Sequence, residues 1–173
     1  MGLTLGVDPT ATGTGAAVLR VDGAVVAWWA WTRVRGGWRL RCSRSTDPPP
    51  VLPSLEAVGA FVAAGSPSGA GVIVEGLHAP ARWQRRASGA DMIALAEATG
   101  RTIAGLTSSL GEPVARPLWV EWTAPLGLLG LTGDAATGCL LAEARREGWL
   151  PAWTLAEQCA LADASGIGRY VRA

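Results

Sequence analysis

The order of patterns along this chain predicts a mixed α/β domain in which an antiparallel meander is followed by strands alternating with helices. Three observations carry that expectation. The first third holds apolar runs at strand spacing, 3–7, 16–21 and 24–34, with the hairpin dipeptide Asp22-Gly23 between the last two. Further on, the continuous apolar run Val72–Val74 stands between two segments of helical periodicity. Finally, 173 residues with 49% hydrophobic and 17% charged side chains suit one well-buried domain over 1–173 and exclude a disordered chain.

In order, Leu3 to Val7 reads as a buried strand that stops at Asp8-Pro9. Residues 10–15 form a turn, 16–21 the second strand and 24–34 the third, with Trp38 to Cys42 as a further ribbon after Gly36-Gly37. Asp47-Pro48-Pro49-Pro50 breaks the chain. Leu55, Val58, Phe61 and Val62 then share one helical face, and 65–71 is a loop rich in Gly, Ser and Pro. Val72–Val74 is a strand ending at Glu75, and 88–110 is a long alanine-rich helix beyond a basic loop. A strand is expected over 113–120, one or two helices over 123–147 with a break at 130–133, a short strand at 150–153, and a closing helix from Leu155.

All 15 basic residues are arginine, against 14 acids, so the net charge of +1 hides an uneven distribution. Arginine suits bidentate phosphate contacts, although a GC-rich genome would produce the same bias. Cys42, Cys139 and Cys159 lack metal-ligand spacing, which predicts a reducing, cytoplasmic setting without disulfides or a zinc site. The opening residues have no basic leader, so no signal peptide is expected, and the apolar run 23–32 is too short to cross a bilayer. Mean hydropathy of +0.25 with nine tryptophans predicts apolar surface that a dimer would cover.

Two acids end predicted core strands, Asp8 after Leu3–Val7 and Glu75 after Val72–Val74. Either one alone reads as a cap facing solvent. A third, Asp163, lies on the closing helix one step off a buried stripe of Leu161, Ala164, Ile167 and Val171, where the small residues Ala162, Ala164, Gly166 and Gly168 leave room for close approach of a backbone or a ligand. Together the three predict a divalent-metal site, because adjacent carboxylates at the rim of an apolar sheet need a counter-charge.

The segment Leu5-Gly6-Val7-Asp8-Pro9, then Thr12-Gly13 and a second strand, resembles the opening of the RuvC-like Holliday-junction resolvases, a family of the RNase H-like superfamily. Val72-Ile73-Val74-Glu75 is similar to their second acidic motif, and Glu97-Ala98-Thr99-Gly100 fits the long helix that follows. Trp122 with Leu126-Gly127 is similar to a tryptophan-led helix of the phage and organellar members. Leu161-Ala162-Asp163-Ala164, with Ile167 and Tyr170, resembles the closing motif. The chain departs from the pattern at the usual fourth ligand, where Cys159 and Ala160 stand. Thr123 replaces a basic residue after the tryptophan, and lysine is absent.

The resemblance implies an RNase H-like fold and a cytoplasmic, bacterial or phage-encoded endonuclease that cuts four-way DNA junctions by two-metal hydrolysis. Asp8, Glu75 and Asp163 would hold Mg²⁺ or Mn²⁺ ions about 4 Å apart. It also implies a homodimer formed through the helix 88–110. The departures leave open a catalytically impaired homologue that binds branched DNA or serves a structural part. An RNase H-like enzyme of the ribosomal-RNA-processing branch is disfavoured by Glu75, and a sugar-kinase or actin-like ATPase by a length that supplies only one domain.

For DNA contact, Arg33, Arg35, Arg39, Arg41 and Arg44 cluster on the predicted ribbon, with Arg33 and Arg35 expected on one face and Arg39 and Arg41 likewise on one. Arg82, Trp83, Arg85 and Arg86 form a second cluster straight after Glu75, near His78, the only histidine. A solvated, charge-protected edge is the plain alternative for the ribbon. Trp28, Trp29 and Trp31 cannot share one face of a strand, so at least one is expected against a covering helix, a partner subunit or DNA.

Overall fold

The structure, a computed structural model, describes residues 2–44, 47–76 and 88–170. Apolar runs buried on both faces of the sheet build its opening. Strands β1 (Leu3–Asp8), β2 (Thr14–Val21), β3 (Ala24–Val34) and β4 (Gly37–Cys42) form an antiparallel meander. Asp22 and Gly23 take φ of 48° and 86° and close the β2–β3 hairpin with Val21 opposite Ala24. A two-residue turn that matches strand twist needs positive φ at both positions, which Asp-Gly supplies cheaply.

A two-residue strand β5 (Val51–Leu52), not foreseen from the pattern, pairs with β4 at the outer edge. Helix α1 (Leu55–Ala64) follows, capped by the Ser54 side chain accepting from the Ala57 N–H at 3.1 Å. The chain then crosses the sheet, and β6 (Gly71–Val74) runs parallel to β1 at the opposite edge. The result is a six-stranded mixed sheet of order β5-β4-β3-β2-β1-β6, in which only the β1–β6 pair is parallel. Next come α2 (Gly89–Leu110), the short α3 (Trp119–Thr123), a single 3-10 turn (Ala124–Leu126), α4 (Gly133–Glu147) and α5 (Leu155–Ile167).

Each face of the sheet buries its own set. Leu5, Val7, Leu19, Trp29, Trp31, Trp38, Leu40, Val72 and Val74 pack against Val58 and Val62 of α1 and Leu106 of α2. On the other face, Ala16, Val18 and Ala30 meet Ala160, Leu161 and Ala164 of α5. Beside them, Ile73, Trp122, Leu140 and Ile167 join α3, α4 and α5. Trp28 points to the α5 side, where Trp149 covers it at 5.9 Å between ring centroids, so this chain shields that tryptophan itself.

Several expectations need correction. Residues 113–120 form no strand beyond a bridge of Ala115 to Ile73, because Pro113 and Pro117 remove ladder donors and α3 takes the end of the segment. Residues 150–153 are a turn, closed by the Trp153 N–H donating to the Pro151 carbonyl at 2.9 Å. Phe61 lies on the exposed rim of α1 rather than in the core with Leu55, Val58 and Val62. Among the described residues no helix is long and apolar enough to cross a membrane.

Candidate functional site

Because β1 and β6 are parallel, their carboxyl ends reach the same edge of the sheet. Val7 pairs with Val74, and the Glu75 N–H donates to the Val7 carbonyl at 3.1 Å, so Asp8 and Glu75 follow at matching heights on neighbouring strands. Alternation decides their direction. Val7 and Val74 fill the core beneath α1 and α2, which sends Gly6, Asp8, Ile73 and Glu75 to the α5 face.

Asp163 reaches the same place from α5, which lies unusually close to β1. A Cβ on Gly6 would collide with the Ala164 carbonyl and with the Gly168 backbone, while the Thr4 hydroxyl donates to the Gly168 carbonyl at 2.8 Å. The small residues of α5 thus permit the close approach that their composition suggested. Gly166 leaves space for the Trp122 ring in the same way; a Cβ there would stand 2.8 Å from it.

The three carboxyl groups sense one another. Burial, followed by the charges of Glu75 and Asp163, raises Asp8 well above the ordinary carboxylate range. Burial also raises Glu75, opposed by its hydrogen bond from Trp122. Asp163 is pushed up to about 7 by burial, with the Thr137 hydroxyl pulling against it and the charge of Glu75 adding to it. All three remain partly open to solvent, and none forms an ion pair with a described cation.

Two donors hold the outer pair. The Trp122 indole N–H donates to Glu75 Oε1 at 3.1 Å, and the Thr137 hydroxyl lies 2.9 and 3.0 Å from the two oxygens of Asp163. Sequence reasoning placed Trp122 on a helix without this contact and missed Thr137 altogether. No local signal marks a threonine in α4 that meets an acid 26 residues onward.

An all-oxygen donor set with raised proton affinities suits a hard divalent cation, which would replace the proton as counter-charge. The side chains are not already closed around such a position. Among the described residues no three His, Cys, Asp or Glu side chains are grouped tightly enough to hold an ion. At the two positions where the resemblance leads one to expect a fourth ligand, Ala160 is buried against β2 and β3, and Cys159 packs among the residues between α4 and α5.

No protein-family model and no curated protein sequence matches this chain. Site geometry therefore carries the functional reading.

The structure divides the arginine ribbon. Arg39 and Arg41 share the carboxylate face of β4, since Trp38, Leu40 and Cys42 fill the opposite core. Arg41 is already engaged, pairing with the buried Glu157 at 3.2 Å and lying 5.8 Å from the Trp153 ring. Arg33 projects to the other side of the sheet, 5.5 Å from the Trp38 ring, beside a cavity of about 410 Å³ that Arg101 and Glu97 also line. Arg35 falls in the turn after β3 and so does not share a strand face with Arg33. Arg44 is exposed beyond β4. His78, Arg82, Trp83, Arg85, Arg86 and Val171 lie outside the described residues.

Proposed function

We propose that this protein is a divalent-metal-dependent endodeoxyribonuclease of the RNase H-like superfamily that resolves four-way DNA junctions, in the manner of the RuvC-like family. The observation that carries this reading is the convergence of Asp8, Glu75 and Asp163. They come from β1, β6 and α5 to one edge and one face of the sheet, partly accessible, with proton affinity raised chiefly by burial and no described cation beside them. Keeping like charges together at an apolar rim costs stability, and a binding task offsets that cost.

Asp8, Glu75 and Asp163 would hold Mg²⁺ or Mn²⁺, which when bound supplies Lewis acidity toward a phosphodiester. Trp122 keeps one oxygen of Glu75 in place and leaves the other free, so the carboxylate keeps its aim as charge around it changes. The Thr137 hydroxyl, within 3.0 Å of both oxygens of Asp163, holds that carboxylate from one side. The backbone contact of Gly6 with α5 fixes the separation of strand and helix on which both acids depend.

The reading extends to a homodimer through the helix 88–110. The first two turns of α2 expose Ala90, Ile93, Ala94 and Ala96, apolar positions that no other described residue buries. Paired cuts on opposing strands call for a two-fold assembly.

Cleavage of a synthetic four-way junction, with and without Mg²⁺, is the direct test. Wild-type protein is expected to cut only with the ion, and Asp8→Asn to bind without cutting. Absence of acidic or histidine side chains at 159 and 160 favours a second reading, a branched-DNA-binding homologue with impaired chemistry. Tight junction binding without cleavage in either Mg²⁺ or Mn²⁺ would select it.

A further inference from the structure

The sheet register carries the site further. On the carboxylate face, Asp8 is level with Ala16 of β2, Ala30 of β3 and Arg41 of β4. That row is covered, because Ala16 and Ala30 lie beneath α5 and Arg41 is held by Glu157 and Trp153. Two residues nearer the edge that bears the acids, the next row consists of Thr14, Thr32 and Arg39. All three remain partly open to solvent, and the two threonine hydroxyls bond each other at 3.1 Å.

Short side chains therefore form a low polar floor, with an arginine at its far side. The Nε of Arg39 is buried and has no hydrogen-bond partner, and no described carboxylate pairs with the side chain. Its stem is set down on the sheet and its charge is unspent. With about 4.8 Å between strands and about 3.4 Å per residue along them, its Cα stands about 16 Å from that of Asp8.

We propose that Arg39 binds a backbone phosphate of the strand being cut, a few nucleotides from the scissile link, so that the nucleic acid crosses the sheet over Thr14 and Thr32. This rests on the nuclease reading above. Three acids gathered at one edge repel a polyanion, and a guanidinium on the same face restores attraction where the backbone leaves them. Its planar fork matches phosphate oxygens. Arg41 shares the face but is committed to Glu157, and Arg33 lies on the reverse of the sheet.

The test measures affinity for a labelled four-way DNA junction across a salt series in the presence of a chelator, so that no cutting occurs. Arg39→Ala is expected to weaken binding several-fold and to lower the slope of log K against log salt by about 0.9, one phosphate contact. Arg33→Ala should leave both unchanged, and Arg39→Lys should recover the slope. If wild-type protein binds while Arg39→Ala matches it in affinity and slope, the assignment of Arg39 falls and the nuclease reading stands. A loss that lysine does not restore marks a structural role and also overturns the assignment. Wild-type protein that binds no DNA removes the reading itself, and this inference with it.

Discussion

At Asp163 the energetics of the site are concentrated in one proton. Burial pushes this carboxyl up to about 7 from an ordinary value of 3.8. Between those limits the folded chain holds a proton that the unfolded chain has lost, so stability falls as pH rises through that window and is highest below it. Without divalent ions, the melting temperature should therefore drop between about pH 4 and pH 7. Asp163→Asn should flatten the drop and raise the melting temperature above pH 7 by at least about 2–4 °C, what roughly 1 kcal/mol gives a domain of this size. Mg²⁺ should stabilise the wild type at that pH more than the variant. Thermal melts across pH, with and without the ion, check all three. A wild-type curve that rises across the window would show that the acids are not held together. Asp163 could be singled out from sequence, since it stands one step off a readable apolar stripe. Thr137 could not, because its partner is remote along the chain and nothing nearby reports the contact.

Among the elements, the docking of α5 on β1 decides whether the acids meet. Gly6 is the point of closest approach, its missing Cβ taken up by the Ala164 carbonyl and the Gly168 backbone. Backbone cannot give way as a flexible side chain can. Gly6→Ala should cost about 3 kcal/mol and lower the urea midpoint with little change in slope. It should also weaken any response to Mg²⁺, because α5 carries Asp163. Gly100→Ala makes a useful contrast. That glycine lies on an open face of α2 with nothing within 4 Å of an added Cβ, so the substitution should gain about 0.5–1 kcal/mol. Equal effects at the two glycines would mean that helix propensity, rather than the contact with β1, sets the cost. The small residues around Asp163 announced a close approach in the sequence. Which strand approaches them became visible only in the fold.

At the scale of the whole molecule, the described residues bury both faces of the sheet and leave the start of α2 exposed. Ile93 is 63% exposed there, with Ala90, Ala94 and Ala96 exposed beside it. If this surface forms the proposed two-fold interface, Ile93→Glu should convert a dimer at micromolar concentration to a monomer. Light scattering gives the mass, and an unchanged melting temperature of the monomeric variant would show that the fold survives. Wild-type protein that is monomeric with and without junction DNA removes the dimer from the proposal. Where the wild type is a dimer, junction cutting by the Ile93→Glu variant should lose its pairing, with single nicks replacing coordinated cuts.

What the sequence determined alone was whatever depends on neighbours along the chain. The apolar runs on either side of Asp22-Gly23 specify the β2–β3 hairpin, a continuous apolar run specifies β6, and the acids are legible because each closes an apolar run. Tertiary structure decided the rest. Pro113 and Pro117 allow only a bridge where a strand was expected, since their missing N–H groups matter only once β6 lies alongside. Arginines at 33, 39 and 41 look equivalent in the sequence. The fold turns one to the reverse face, pairs another with Glu157 and leaves Arg39, with no described carboxylate partner, on the face that bears the acids. Spacing can say which residues share a face of one strand. Which face is covered, and by what, depends on contacts between segments remote in sequence, and these form only when the sheet and its helices pack.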